Sequence, residues 1–124
     1  MPENSQDSPY YKRRILSFKY AFEGITAALK KEPNLKIHFS VALLVLLIAS
    51  ILRITSTDFV LIVMLISLVI SIELTNTAIE SVIDSFTDKE HPIAKYAKDI
   101  SAGAVLVVAF SAAVCGILIF SKYL

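Results

Sequence analysis

Apolar residues follow two patterns along this chain. Tyr11, Ile15, Phe18, Phe22, Ile25 and Leu29 recur at alternating steps of four and three, which draws one apolar stripe along a helix. Lys12, Arg13, Arg14, Lys19, Lys30 and Lys31 flank it. A basic helix with an aromatic-rich apolar face suits a position flat on an anionic membrane surface, and Pro33 is expected to end or bend it. Beyond Pro33 the pattern changes to continuous apolar runs. Residues 37–52, 59–72 and 100–121 contain no Asp, Glu, Lys or Arg. A spanning helix needs about 20 mostly apolar residues, and only the third run meets this unaided. The first suffices if Lys36 and Arg53 snorkel to the interfaces. The second must continue past Glu73 towards Asp84, taking Glu73 and Glu80 into or near the membrane. The pattern therefore predicts a surface helix over about 10–32 and spans over about 36–54, 58–85 and 93–121.

Composition agrees with that reading. The 124 residues are 56% hydrophobic and 19% charged, with a mean hydropathy of +0.68. A typical soluble domain is about 45–50% apolar and about 25% charged, and a small domain hides only about two-thirds of its surface. The expectation is an all-α integral membrane protein, with one domain over 10–124 and a disordered segment over 1–9. A single cysteine, Cys115, excludes an intrachain disulfide scaffold, and a net charge of +1 gives no excess for nucleic acid. No segment reads as a removable signal, because the first apolar run follows a long polar lead. Seven Lys and Arg precede the first span, Arg53 stands alone in the first loop, and Lys89, Lys95 and Lys98 follow the second span. The positive-inside rule then puts the N-terminus and the second loop in the cytoplasm.

The chemistry concentrates in Glu73-Leu74-Thr75-Asn76-Thr77-Ala78-Ile79-Glu80-Ser81-Val82-Ile83-Asp84. At about 100° per residue, Glu73, Asn76, Thr77, Glu80 and Asp84 share one face, with Glu73 and Glu80 about 10 Å apart along the axis. An ionisable residue at membrane depth costs roughly 2.5–3.5 kcal/mol. Two such carboxylates call for a metal ion, a basic partner or a proton. The plain alternative is a helix leaving the membrane near Glu73 with a solvated stripe, but the span before it is then too short. Lys95, Lys98 and Asp99 form a second cluster, and Lys98-Asp99 lies level with Glu80 and Asp84. A lysine beside a carboxylate-held metal suits phosphate binding. Glu32, next to Pro33 at the same interface, could join Glu80 in holding Mg²⁺ when phosphates complete the shell. Alone, Glu32 reads as a surface carboxylate and His91 as a loop histidine. Small residues at Ser101, Ala102, Gly103, Ala104, Ala109, Ala112, Ala113 and Gly116 keep the last span slim, which favours a bundle or an oligomer. No Gly-rich phosphate loop is present, which excludes a soluble kinase fold.

These residues resemble a known family, the small bacterial membrane diacylglycerol kinases and undecaprenol kinases. The segment 73–84 is similar to the family pattern E-x-x-N-[ST]-A-I-E-x-x-x-D. Ala97-Lys98-Asp99-Ile100-Ser101-Ala102-Gly103-Ala104-Val105 follows at the expected distance, and Gly24-Ile25-Thr26-Ala27-Ala28-Leu29-Lys30-Lys31-Glu32 precedes it. The likeness extends over about residues 12–120. It implies a homotrimer in the bacterial inner membrane, with active sites between protomers near the cytoplasmic surface and ATP and Mg²⁺ as the required partners. Carried over position by position, Glu73 matches the general base acting on the lipid hydroxyl and Asn76 a residue that orders the site. Glu32 and Glu80 match the Mg²⁺ carboxylates. Lys98 and Asp99 match nucleotide contacts, as do Arg13, Tyr20, Lys89, Glu90 and His91, though the loop side chains depart from the pattern. Arg13 and Ala102 also match positions on the lipid substrate, together with Glu73.

The acceptor is expected to be undecaprenol. The chain has no Trp, whereas members acting on diacylglycerol in Gram-negative bacteria tend to carry some. The end of the surface helix, Ala-Leu-Lys-Lys-Glu-Pro-Asn, is similar to the Gram-positive branch. Diacylglycerol is the alternative acceptor. Two readings from other classes stay open at this point: a proton-coupled transporter exchanging at Glu73, and a structural membrane subunit, which leaves the stripe unexplained.

Overall fold

The computed structural model describes residues 9–88 and 90–124. The expectation of disorder over 1–9 falls, for 1–8, outside the described residues, as does the nucleotide role of Lys89. Four helices follow in order: α1 (Tyr10–Lys31), α2 (Pro33–Ile51), α3 (Ser56–Phe86) and α4 (Pro92–Ser121). The described residues contain no strand. Helices α2, α3 and α4 are each long and apolar enough to cross a membrane.

One residue separates α1 from α2. A residue before proline is pushed out of the α region, and Glu32, before Pro33, is extended at φ −102° and ψ 111°. Its N–H still donates to the Ala28 carbonyl at 2.8 Å, and its own carbonyl accepts from the Lys36 N–H at 3.3 Å. Pro33 then opens α2 at a position where it lacks only a hydrogen bond that no helix start makes. The break separates the amphipathic α1 from the continuously apolar α2. The α1 stripe stays uncovered, with Phe18 70% exposed and Phe22 69% exposed, as a helix on a lipid surface requires.

Leu35, Ala42 and Ala49 are the buried residues of α2. Their spacing of seven makes a single seam of the kind two helices share at a shallow crossing. The helix stops at a left-handed residue, Arg53, with φ 50°. Its N–H donates to Ser50 O at 3.2 Å and the next N–H, of Ile54, to Ala49 O at 3.3 Å. This is the paired hydrogen-bond stop that usually employs glycine. Thr55 caps α3, its hydroxyl accepting from the Asp58 N–H at 3.2 Å.

Helices α3 and α4 form the closest-packed pair, with α2 leaning on α3. Polar ties sit at both ends of this antiparallel pair. At one end Lys98 Nζ donates to Asp84 Oδ1 at 2.8 Å. At the other, Lys122 Nζ lies 2.8 Å from both carboxylate oxygens of buried Asp58. The Tyr123 hydroxyl also donates to Asp58, and the Thr55 N–H donates to that hydroxyl oxygen at 3.0 Å. Between these ties the three spanning helices do not close. An apolar cleft of about 670 Å³ runs among them, with Val45, Ile66, Val69, Ala112 and Gly116 in its walls. Two of the small positions of α4 are not filled by packing within the chain: a Cβ added at Gly103 or Gly116 meets nothing within 4 Å.

Candidate active site

Helix α3 carries the stripe, and at 31 residues it is longer than a span requires. At 1.5 Å per residue its residues extend well beyond the roughly 30 Å hydrocarbon layer. Counting from Phe59, that layer ends about 20 residues on, between Asn76 and Glu80. On that count Glu73 would fall within the apolar layer, Glu80 at its edge and Asp84 beyond it.

The deep part of the stripe is buried, and only its outer end at Asp84 is exposed. Glu73 is 4% exposed and Asn76 9% exposed, and both belong to the buried face of α3. Three levels follow along the helix. Deepest, Glu73 Oε2 lies 3.8 Å from Nε2 of His38 on α2. One turn on, Asn76 Nδ2 donates to Glu80 Oε1 at 3.4 Å, while the buried Asn76 Oδ1 has no hydrogen-bond partner. An unmet buried acceptor costs about 1–3 kcal/mol, so a ligand donor at this place has something to satisfy. Outermost, Lys98 reaches across from α4 to Asp84 and feels the Glu80 carboxylate as well.

Other expected residues sit on α1, at the α1–α2 junction, and on α4 and the loop before it. Asp99 is held by Lys95 one turn earlier on α4 and is exposed, so of the Lys98-Asp99 pair only Lys98 turns to α3. Glu90 is exposed, its N–H donating to Asp88 Oδ1 at 3.2 Å. His91 caps α4, its Nδ1 accepting from the Ala94 N–H at 3.4 Å. Arg13 is exposed on α1 and Tyr20 half-buried; Ala102 is exposed on α4. Glu32 is half-buried at the α1–α2 junction. Among the described residues no three His, Cys, Asp or Glu side chains gather as a metal cluster. Mg²⁺ does not demand one, since one or two carboxylates plus phosphates and water suffice. Glu32, Glu80 and the unmet Asn76 oxygen are the hard oxygen donors that such an ion takes.

Sequence reasoning missed His38. It is the one ionisable side chain in the run 37–52, and that isolation was the available signal.

Comparison with known proteins decides what the column belongs to. The sequence profile of prokaryotic diacylglycerol kinase matches residues 19–120. The chain belongs to this family of membrane lipid kinases. It is 41% identical over 108 residues to an undecaprenol kinase of Bacillus subtilis (strain 168), covering 87% of this chain and 88% of that protein. It is 37% identical over 103 residues to a diacylglycerol kinase of Synechocystis, covering 82% of this chain and 59% of that one. A diacylglycerol kinase of Escherichia coli (strain K12) is 31% identical over 97 residues, covering 78% and 80%. Membership makes the protein an ATP-using phosphotransferase with a lipid acceptor and selects against the transporter and structural-subunit readings.

Proposed function

We propose that this kinase transfers the γ-phosphoryl group of ATP to the hydroxyl of undecaprenol, with Glu73 as the base. The observation that carries the chemistry is a buried carboxylate in the apolar layer, one turn below an unmet amide oxygen and two levels below a lysine. The undecaprenol kinase relative, aligned over most of both chains, supports the acceptor. The diacylglycerol kinase relatives support diacylglycerol as a second acceptor.

Glu73 takes the proton from the lipid hydroxyl. The oxygen attacks the γ-phosphorus, the bond to the bridging oxygen breaks, and ADP leaves with that electron pair. Such a transfer is mostly positioning and charge neutralisation. Lys98 meets the phosphate charge, and Asp84 holds Lys98 in place. Asn76 orders the groups between Glu73 and Glu80. Glu32 and Glu80 would hold Mg²⁺, which when bound neutralises charge on the phosphates. Arg13, Tyr20, Lys89, Glu90, His91 and Asp99 serve the nucleotide, and Arg13 and Ala102 flank the lipid. The basic lead and second loop orient this end towards the cytoplasm of a bacterial inner membrane, where ATP is available. The unfilled space beside Gly103 and Gly116 supports packing between copies, in a homotrimer with sites between protomers.

Transfer of labelled phosphate in bilayers, with undecaprenol and diacylglycerol offered in parallel, tests this. Wild type is expected to phosphorylate undecaprenol faster. Glu73→Gln is expected to lose about 10²–10⁴-fold in kcat, the usual contribution of a general base, and Glu80→Gln to lose activity that added Mg²⁺ partly restores. Faster transfer to diacylglycerol overturns the acceptor. Wild-type rates in Glu73→Gln overturn the base.

A further inference from the structure

Glu73 meets an imidazole rather than a fixed cation. His38 Nε2 is 3.8 Å from Glu73 Oε2, the side chains being 24% and 5% exposed. The surroundings give no packing reason for a histidine. His38 lines the apolar cleft beside Ile37, Ala42, Val69 and Ile70, and Ser121 at the far end is the other polar residue in its walls. The imidazole stands where the cleft meets the buried carboxylate. A base that must present one oxygen to a hydroxyl works best when a third group holds its other oxygen. Such contacts are often long without substrate and tighten in the reacting complex.

We infer that His38 is the positioning residue for Glu73: as the 3.8 Å gap between them tightens on substrate binding, its Nε2–H donates to Glu73 Oε2 and leaves Oε1 to take the lipid proton. The inference rests on Glu73 being the base. The hydroxyl proton passes to Oε1, the lipid oxygen bonds to the γ-phosphorus, and the bond from phosphorus to the ADP oxygen breaks. The His38 proton stays where it is.

The test uses full-length protein in bilayers with MgATP and undecaprenol, comparing His38→Leu, His38→Gln and Glu73→Gln, each with a thermal melt. His38→Leu is expected to lose about 10- to 100-fold in kcat, the scale of a misplaced reacting group, with KM for ATP unchanged. His38→Gln, which offers an N–H at similar reach, is expected to return to within about threefold of wild type. Unchanged kcat in His38→Leu, or equal losses in Leu and Gln, overturns the inference. If His38→Leu does not fold, His38→Asn takes its place. Its shorter amide is expected to keep the melt and lose activity relative to Gln, and equality of Asn and Gln overturns the inference. Activity retained in Glu73→Gln overturns the base and the inference together. An inactive Glu73→Gln beside a fully active His38→Leu overturns the inference alone.

Discussion

At the scale of single residues, Lys98 shows what a sequence can and cannot say. Its neighbour Asp99 shares its motif, yet the two side chains part. Lys95, one turn earlier on the same helix, takes Asp99, while Lys98 crosses to Asp84 on α3. Spacing reveals which residues share a face but not which helix that face meets. The stripe of Glu73, Asn76 and Glu80 was legible because it lies within one helix, where the 100° step settles the geometry. His38 was not, because a lone histidine in an apolar run has no spacing to read. If Lys98 carries phosphate charge and Asp84 only holds it, the two mutants separate. Lys98→Met is expected to lower kcat/KM for ATP by about 10- to 100-fold, the range of a charge-assisted contact. Asp84→Asn is expected to lose several-fold less, because the ammonium remains. Steady-state kinetics with varied ATP distinguish the two, and equal losses would show that Asp84 does more than hold the lysine.

At the scale of elements, the decisive event is the one-residue break at Glu32. Pro33 announced a break, and the uncharged runs announced the spans, so both were readable from local chemistry. The end of α2 was less so. The stop at Arg53 puts a side chain at φ 50°, where glycine is the usual occupant, and no residue type there warned of it. The extended backbone before proline takes Glu32 out of the α1 spiral, and under the proposed Mg²⁺ role that break would matter to activity. Replacing Pro33 by Ala removes the steric ban on helix at Glu32 and lets α1 run into α2. The expected result for Pro33→Ala is a folded protein with unchanged or higher helix content by circular dichroism. Its stability should fall by about 0.4–1 kcal/mol, the usual gain from proline at a compatible site. Its kcat is expected to fall more than tenfold, on the scale of a displaced site group. Full activity in this variant would separate Glu32 from the site.

At the scale of the whole molecule, α3 and α4 are tied at two ends, and only the Lys98–Asp84 end adjoins the stripe of Glu73, Asn76 and Glu80. Asp58 and Lys122 stand at the margins of uncharged runs, and no local spacing pairs them. That they find each other across 64 positions follows from the antiparallel pairing of two helices of nearly equal length, with stretches of about 39 Å and 36 Å between their tied residues. Neither helix alone contains this information. The far tie should therefore support stability without touching the reaction. The hydrogen bond to the Asp58 carboxylate raises the Lys122 ammonium above its ordinary value, with desolvation pulling the other way. A raised folded-state value means that the tie contributes fully below about pH 10.4, the ordinary lysine value. The contribution is lost as the pH climbs through the higher folded value. At neutral pH, Lys122→Met is expected to melt below wild type while retaining its kcat and KM. On raising the pH past 10, the wild-type melting temperature should fall towards that of the mutant, and the two curves should meet above the folded value of Lys122. Thermal melts in detergent at a series of pH values read this directly. A constant gap between the curves would mean that Lys122 stabilises through packing of its alkyl stem. A loss of kcat at neutral pH would mean that the register set at this end extends across the membrane to the column of Glu73, Asn76 and Glu80.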